Sequence, residues 1–135
     1  MPIDHVAVWL PDEAALDRVR QFYEEHFAAR GGAVYRSARR AGFVSCFVAF
    51  PAAEGEARVR LELMTAPGLA PAPRGEAAGY AHVAIALGSR AAVDAAVKRL
   101  RAAGVPVELG PRETGDGYYE AVVRDPGGNV VEVMA

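Results

Sequence analysis

IDHVAVWLPDEAALDRVRQFY, residues 3–23, aligns without a gap on YAHVAIALGSRAAVDAAVKRL, residues 80–100. The shift is 77 positions, and it sets His5 on His82 and Asp17 on Asp94. A second match, at a shift of 70, sets RLELMT at residues 60–65 on VVEVMA at residues 130–135, and so Glu62 on Glu132. The shorter second shift implies extra residues in the first half, as insertions in surface loops produce. One supersecondary unit is therefore used twice, opened each time by a histidine strand and closed by a glutamate strand.

Within the first copy, IDHVAVWL alternates as a strand does, and DEAALDRVRQFYEEHF carries Leu16, Val19, Phe22, Tyr23 and Phe27 at helical spacing. Asp12 is the expected N-cap and Gly31-Gly32 the expected stop. AVYRSA, FVSCFVAF and RVRLELMT then read as strands, the last two separated by the turn-forming PAAEGEA. The second copy repeats the plan: YAHVAIAL, a helix from about Ser89 to Ala103, then VPVELGP, GYYEAVVRD and NVVEVM, with GDG and DPGGN as turns. The expected fold is α+β: two βαβββ modules in a pseudo-twofold arrangement, forming one curved mixed sheet within a single domain over 1–135. Module 1 spans about 1–66, a Pro-, Gly- and Ala-rich linker 67–78, and module 2 about 79–135.

Strand parity decides which side chains share a surface. Val6, Val8 and Leu10 form the face that packs under a helix, which leaves His5 on the other; Val83, Ile85 and Leu87 do the same for His82. Leu61 and Leu63, and likewise Val131 and Val133, leave Glu62 and Glu132 opposite the helix. Two imidazoles and two carboxylates, all on the face away from the helices, are a donor set for one divalent metal ion, with two of six positions open to substrate or water. Nickel or zinc is expected, with cobalt, manganese and iron as alternatives; thiolate ligation is absent. His26 lacks a repeat partner and reads as a surface residue, and Cys46, inside an apolar strand, reads as packing.

Four residues are expected to contact substrate. Trp9, Phe47 and Met64 share the parity of His5, Ser45 and Glu62 and line an apolar pocket beside the metal. Of the adjacent Tyr118 and Tyr119 only one can reach that side, and Tyr119 is the candidate. Arg58 and Arg60 have the parity of Glu62 and are placed to meet an anionic substrate tail.

Composition narrows the partners. Net charge is −2 over 135 residues, with Lys and Arg scattered, which gives no electrostatic footprint for nucleic acid or an anionic membrane. No apolar run approaches the roughly 18 residues of a membrane helix, and the first residues lack a basic leader segment; a cytoplasmic protein with a small-molecule substrate is the expectation.

IDHVAVW, RLELM, GYAHVAIAL and DPGGNVVEV together resemble the vicinal oxygen chelate superfamily, over nearly the whole chain. That superfamily includes glyoxalase I, fosfomycin-resistance enzymes, extradiol dioxygenases, methylmalonyl-CoA epimerase and bleomycin-binding proteins. The chain also resembles small bacterial proteins described as lactoylglutathione lyases. The resemblance to glyoxalase I implies metal ligation by His5, Glu62, His82 and Glu132. Fosfomycin-resistance enzymes and extradiol dioxygenases typically use two His and one Glu, so Glu62 favours glyoxalase-like or epimerase-like chemistry. Bleomycin-binding members generally lack the metal set.

The implied activity is that of a metal-dependent lyase or isomerase acting on a small α-oxygenated substrate, with a glutathione hemithioacetal as the candidate. Metal stabilises an enediolate, and a glutamate moves the proton between adjacent carbons. Glu132 is the expected base by a narrow margin over Glu62. A homodimer is implied by the resemblance alone. The competing expectations are another metal-dependent enzyme of the superfamily (epimerase, thiol transferase or dioxygenase) and a non-catalytic protein that sequesters a drug or metabolite.

Overall fold

A computed structural model describes residues 3–52, 59–71, 75 and 77–135. Arg58, most of the turn expected over 51–57 and part of the linker expected over 67–78 lie outside these residues. The chain divides into two compact units, Met1–Ala72 and Pro73–Ala135.

In the first unit, β1 (Val6–Trp9) leads into α1 (Glu13–Phe27). The Asp12 carboxylate caps that helix by accepting from the Ala15 amide at 2.7 Å, which satisfies one of the donors that a helix start leaves free. The helix buries Ala15, Leu16, Val19, Phe22, Tyr23 and Phe27. These six fall at three- and four-residue intervals, the stripe that a helix presents to a sheet. It ends at Ala28, whose φ is 53°, and not at Gly31-Gly32. Gly31 belongs instead to β2 (Arg30–Gly31) and needs no side chain: an added Cβ would lie 2.6 Å from Glu24 Oε1 and 2.8 Å from Arg20 Cδ. The Gly31 amide donates to that same Glu24 oxygen at 2.9 Å.

The strand expected over AVYRSA shortens to β3 (Tyr35–Arg36), followed by β4 (Val44–Ala49) and β5 (Arg60–Thr65). Their order is β1-β5-β4-β2, with β3 also paired to β4. β1 runs parallel to β5, with Val6 opposite Leu61, Ala7 opposite Glu62, Val8 opposite Leu63 and Trp9 opposite Met64. β4 runs antiparallel to β5, so that Phe47 pairs with Glu62 and Cys46 with Leu63. Leu61, Leu63, Val44, Cys46 and Val48 are all buried, and each leucine so covered contributes about 1.5–3 kcal/mol. The other parity of β5 (Arg60, Glu62, Met64) is only half-buried.

The second unit repeats this plan as β6 (Val83–Ala86), α2 (Arg90–Ala102), β7 (Val107–Glu113), β8 (Tyr119–Arg124) and β9 (Val130–Met134), in the order β6-β9-β8-β7. Ser89 caps α2 through a 3.2 Å bond from Ala92, at the position equivalent to Asp12. β6 is parallel to β9 and places Ala84 opposite Glu132, as Ala7 is placed opposite Glu62. Val93, Ala96, Val97 and Leu100 of α2 are buried, as are Ala121, Val123, Val131 and Val133 of the sheet. The Asp125 carboxylate organises the β8–β9 turn by accepting from the amides of Gly127 and Asn129, both at 2.9 Å, and Gly128 supplies the positive φ, 84°.

The repeat runs further than its sequence match. Arg36 grips Glu13 through two hydrogen bonds, at 2.8 and 2.6 Å. Arg90 grips Glu113 in the same way, at 3.0 and 3.3 Å. Each pair occupies the other's positions at the 77-residue shift with the charges exchanged, so the contact persists where residue identity does not. The two βαβββ modules of the expected α+β fold are thus present, each contributing its own mixed sheet.

Candidate metal centre

Parity along β5 turns Glu62 away from α1, and the parallel neighbour β1 carries His5 just before its first residue. The outcome in the first unit is His5 Nε2 3.5 Å from Glu62 Oε2, with the two side chains 36 % and 19 % exposed. The second unit builds the same pair: His82 Nε2 lies 3.3 Å from Glu132 Oε2. Two donors bound to one metal at about 2.0–2.2 Å stand roughly 3.0 Å apart at a right angle and roughly 3.4 Å apart at a tetrahedral angle. Both separations suit neighbouring ligands of one ion, and imidazole with carboxylate is a borderline-to-hard donor set for Zn, Ni, Co, Mn or Fe. Among the described residues no three or more His, Cys, Asp or Glu side chains gather into one group that could hold a metal ion. Each unit by itself therefore offers a metal two ligands.

His5 is held on three sides. Its Nδ1 lies 2.8 Å from Asp4 Oδ2; an ionised carboxylate only accepts, so Nδ1 is the donor of that bond. The Arg60 guanidinium donates to the same Asp4 oxygen and stacks over the Phe47 ring at 4.5 Å. Phe47 meets the His5 ring edge-on at 5.2 Å between centroids. Hydrogen bonding from His5, and then from Arg60, holds the Asp4 carboxyl below its ordinary 3.8.

Phe47 is the register partner of Glu62 and sits beside the histidine–glutamate pair. Met64 and Trp9 are register partners one step along the same face. Trp9 is 46 % exposed, with Phe43 edge-on at 6.1 Å and the Arg40 guanidinium 5.3 Å over its ring. Arg40 went unnoticed in the sequence because it falls outside the strand expected over FVSCFVAF, where parity carries no information, whereas Phe43 opens that strand with the parity of Phe47. Arg60, one of the two arginines considered for an anionic substrate tail, is tied to Asp4.

Tyr119 is a correction. It shares a face with Ala121 and Val123, and its phenol donates to Asp94 of α2 at 2.7 Å, with Arg90 stacked over the ring at 4.9 Å. The bond to Asp94, and then burial, push the phenol above its ordinary pKa. Glu120, Val122 and Arg124 pair with Met134, Glu132 and Val130 and occupy the face of Glu132. Glu120 is nearly buried and bonds Arg112 at 3.2 Å. Counting one residue along the strand reversed the tyrosine. The two faces differ in character: the register partner of the glutamate is Phe47 in one unit and Val122 in the other.

Cys46 is buried, as expected, and loss of hydration pushes its thiol pKa up. Among the described residues no helix is long and apolar enough to cross a membrane.

A profile described as the Glyoxalase/Bleomycin resistance protein/Dioxygenase superfamily matches residues 3–133. No curated protein matches the sequence itself. Among solved structures, the lactoylglutathione lyase of Agrobacterium tumefaciens is 27 % identical, with a TM-score of 0.63 over 98 % of this chain and 92 % of that one. The trypanothione-dependent glyoxalase I of Leishmania major is 24 % identical, with a TM-score of 0.73 over 99 % of this chain and 86 % of that one. Glyoxalase I of Zea mays is 21 % identical, with a TM-score of 0.75; 98 % of this chain covers 43 % of that one. The last two likenesses concern the fold alone.

Proposed function

Because the chain belongs to the Glyoxalase/Bleomycin resistance protein/Dioxygenase superfamily, we propose that its two histidine–glutamate pairs supply four ligands to one divalent metal and that it is a glyoxalase-like lyase or isomerase. The observation that carries this reading is the duplicated pair itself: repeat-equivalent donors, 3.5 and 3.3 Å apart, at the spacing of neighbouring ligands. In each pair the imidazole Nε2 and a carboxylate oxygen face one another, and a cation placed between them would be attracted to both. A pair alone would leave a metal mostly hydrated, whereas His5, Glu62, His82 and Glu132 together would hold it through four protein donors. Whether the two pairs come from one chain or from two copies does not alter the donor set.

When bound, the ion supplies Lewis-acid stabilisation of negative charge on adjacent substrate oxygens. The protein's part is to hold the substrate and move a proton. Glu132 takes the carbon-bound proton of an α-oxygenated substrate, a glutathione hemithioacetal being the leading class, and returns it to the neighbouring carbon. Glu62 stays in place. Two features favour Glu62 as the resident ligand: its partner His5 is braced by Asp4 and Phe47, and Phe47 stands against Glu62 across β4 and β5. Phe47, Met64 and Trp9 give an apolar wall for the organic part of the substrate.

The test is turnover of methylglyoxal with glutathione after loading with nickel, zinc or cobalt. Metal-dependent formation of the lactoyl thioester, abolished by Glu132→Gln with metal uptake retained, is the expected result. Tight binding of small molecules without turnover under any loading would make the protein a sequestering member of the superfamily.

A further inference from the structure

The two histidines of the proposed centre are not equivalent in their surroundings. His5 Nδ1 lies 2.8 Å from Asp4 Oδ2, and Arg60 donates to the same oxygen. At the repeat-equivalent position the residue before His82 is Ala81, whose side chain offers no acceptor. Asp4 is 69 % exposed, so it adds nothing to the core, and its interactions run to the histidine and to Arg60. Arg60 is held in turn by stacking over Phe47, whose ring edges onto His5. Four side chains thus close a loop: Asp4 to His5, His5 to Phe47, Phe47 to Arg60, and Arg60 back to Asp4.

We propose that Asp4 is a positioning residue that locks His5 in its Nδ1–H tautomer and aims the Nε2 lone pair at Glu62, making the first module the preorganised half of the metal site. This rests on the metal reading above. The physical reason is general: a histidine ligand whose second nitrogen donates to a carboxylate has its tautomer and ring orientation settled before the metal arrives, and it becomes the stronger base. Loss of such a partner typically weakens metal binding by about 10–100-fold. Arg60 holds Asp4 in place, while His82 must select its tautomer as the metal binds.

The experiment has a readout that needs no metal. The chain holds three histidines, so long-range 15N–1H spectra of metal-free protein, recorded well above histidine's ordinary pKa of about 6.5, resolve each ring, and His26→Ala and His82→Ala assign them. The expected result is the Nδ1–H tautomer for His5 in the wild type, lost or mixed in Asp4→Ala and kept in Asp4→Asn, whose amide oxygen still accepts. Nickel affinity measured by calorimetry is then expected to fall about tenfold or more in Asp4→Ala. An Nε2–H tautomer for His5 in the wild type, or one unchanged in Asp4→Ala, would overturn the inference. Failure of the wild type to take up nickel while His5 keeps its tautomer would overturn the metal reading, and the affinity half of this inference with it, but leave the tautomer lock standing.

Discussion

Alanine substitution of two adjacent residues on β5, Glu62 and Leu63, should give opposite results. Leu63 is fully buried, with Val8 and Cys46 as its register partners and α1 above it. Leu63→Ala removes hydrophobic transfer energy and leaves a cavity that the sheet cannot fully close. The structure predicts a loss of about 3 kcal/mol, a large share of a typical domain stability of about 5–15 kcal/mol, with the melting temperature falling on the order of 10 °C. Glu62 faces the other way, toward His5 Nε2, and holds no part of that core. Without metal, Glu62→Ala is expected to cost far less, about 0.5–1 kcal/mol, because a half-buried side chain beside Phe47 is trimmed without opening a cavity in the core. With metal present the ranking inverts: Leu63→Ala still gains stability from saturating nickel, and Glu62→Ala does not. Urea unfolding in chelator and in nickel measures both. A Glu62→Ala loss matching that of Leu63→Ala in chelator, or a Leu63→Ala loss under about 1 kcal/mol, would refute the assignment of faces on which the site depends.

Other consequences follow from contacts away from that strand. Tyr119→Phe removes the bond to Asp94 and is expected to lower the melting temperature slightly while leaving metal affinity unchanged, as calorimetry would show. The Glu13 and Glu113 carboxyls are held below their ordinary 4.5 by hydrogen bonds from Arg36 and Arg90. Their contribution is therefore fully present above that value and is lost as pH falls through the lowered one. Thermal melts across pH should show the wild type ahead of a Glu13→Gln, Glu113→Gln double variant at neutral pH, with the gap closing in acid and shrinking in high salt. Cys46, buried with a raised thiol pKa, should react with a thiol reagent only as fast as the fold opens, and at full rate in denaturant.

The duplicated histidine and glutamate strands were legible in the sequence because the repeat and strand parity act together. Val6, Val8, Leu61 and Leu63 declare one face, and the polar residues between them declare the other. What parity could not supply lay where strands begin or bend. Tyr119 was misplaced because the sequence does not show at which residue β8 joins its partner, and a slip of one exchanges faces. Asp4 escaped notice for a related reason. It precedes β1, where alternation does not yet hold, and simple counting would point it away from His5, although the two side chains meet. Gly31 looked like a helix stop, yet Ala28 ends α1; the glycine instead lies under Glu24 and Arg20, a contact between α1 and β2 that no local pattern announces.

The most direct measurement of the central claim is the number of metal ions bound per chain, by elemental analysis of protein loaded with nickel or zinc and then desalted, for the wild type, Glu62→Ala and His82→Ala. If both modules serve one centre, the wild type holds one ion per chain and either substitution, in either module, removes it. Two ions per chain, each lost only with the pair in its own module, or no ion at all, would contradict the account.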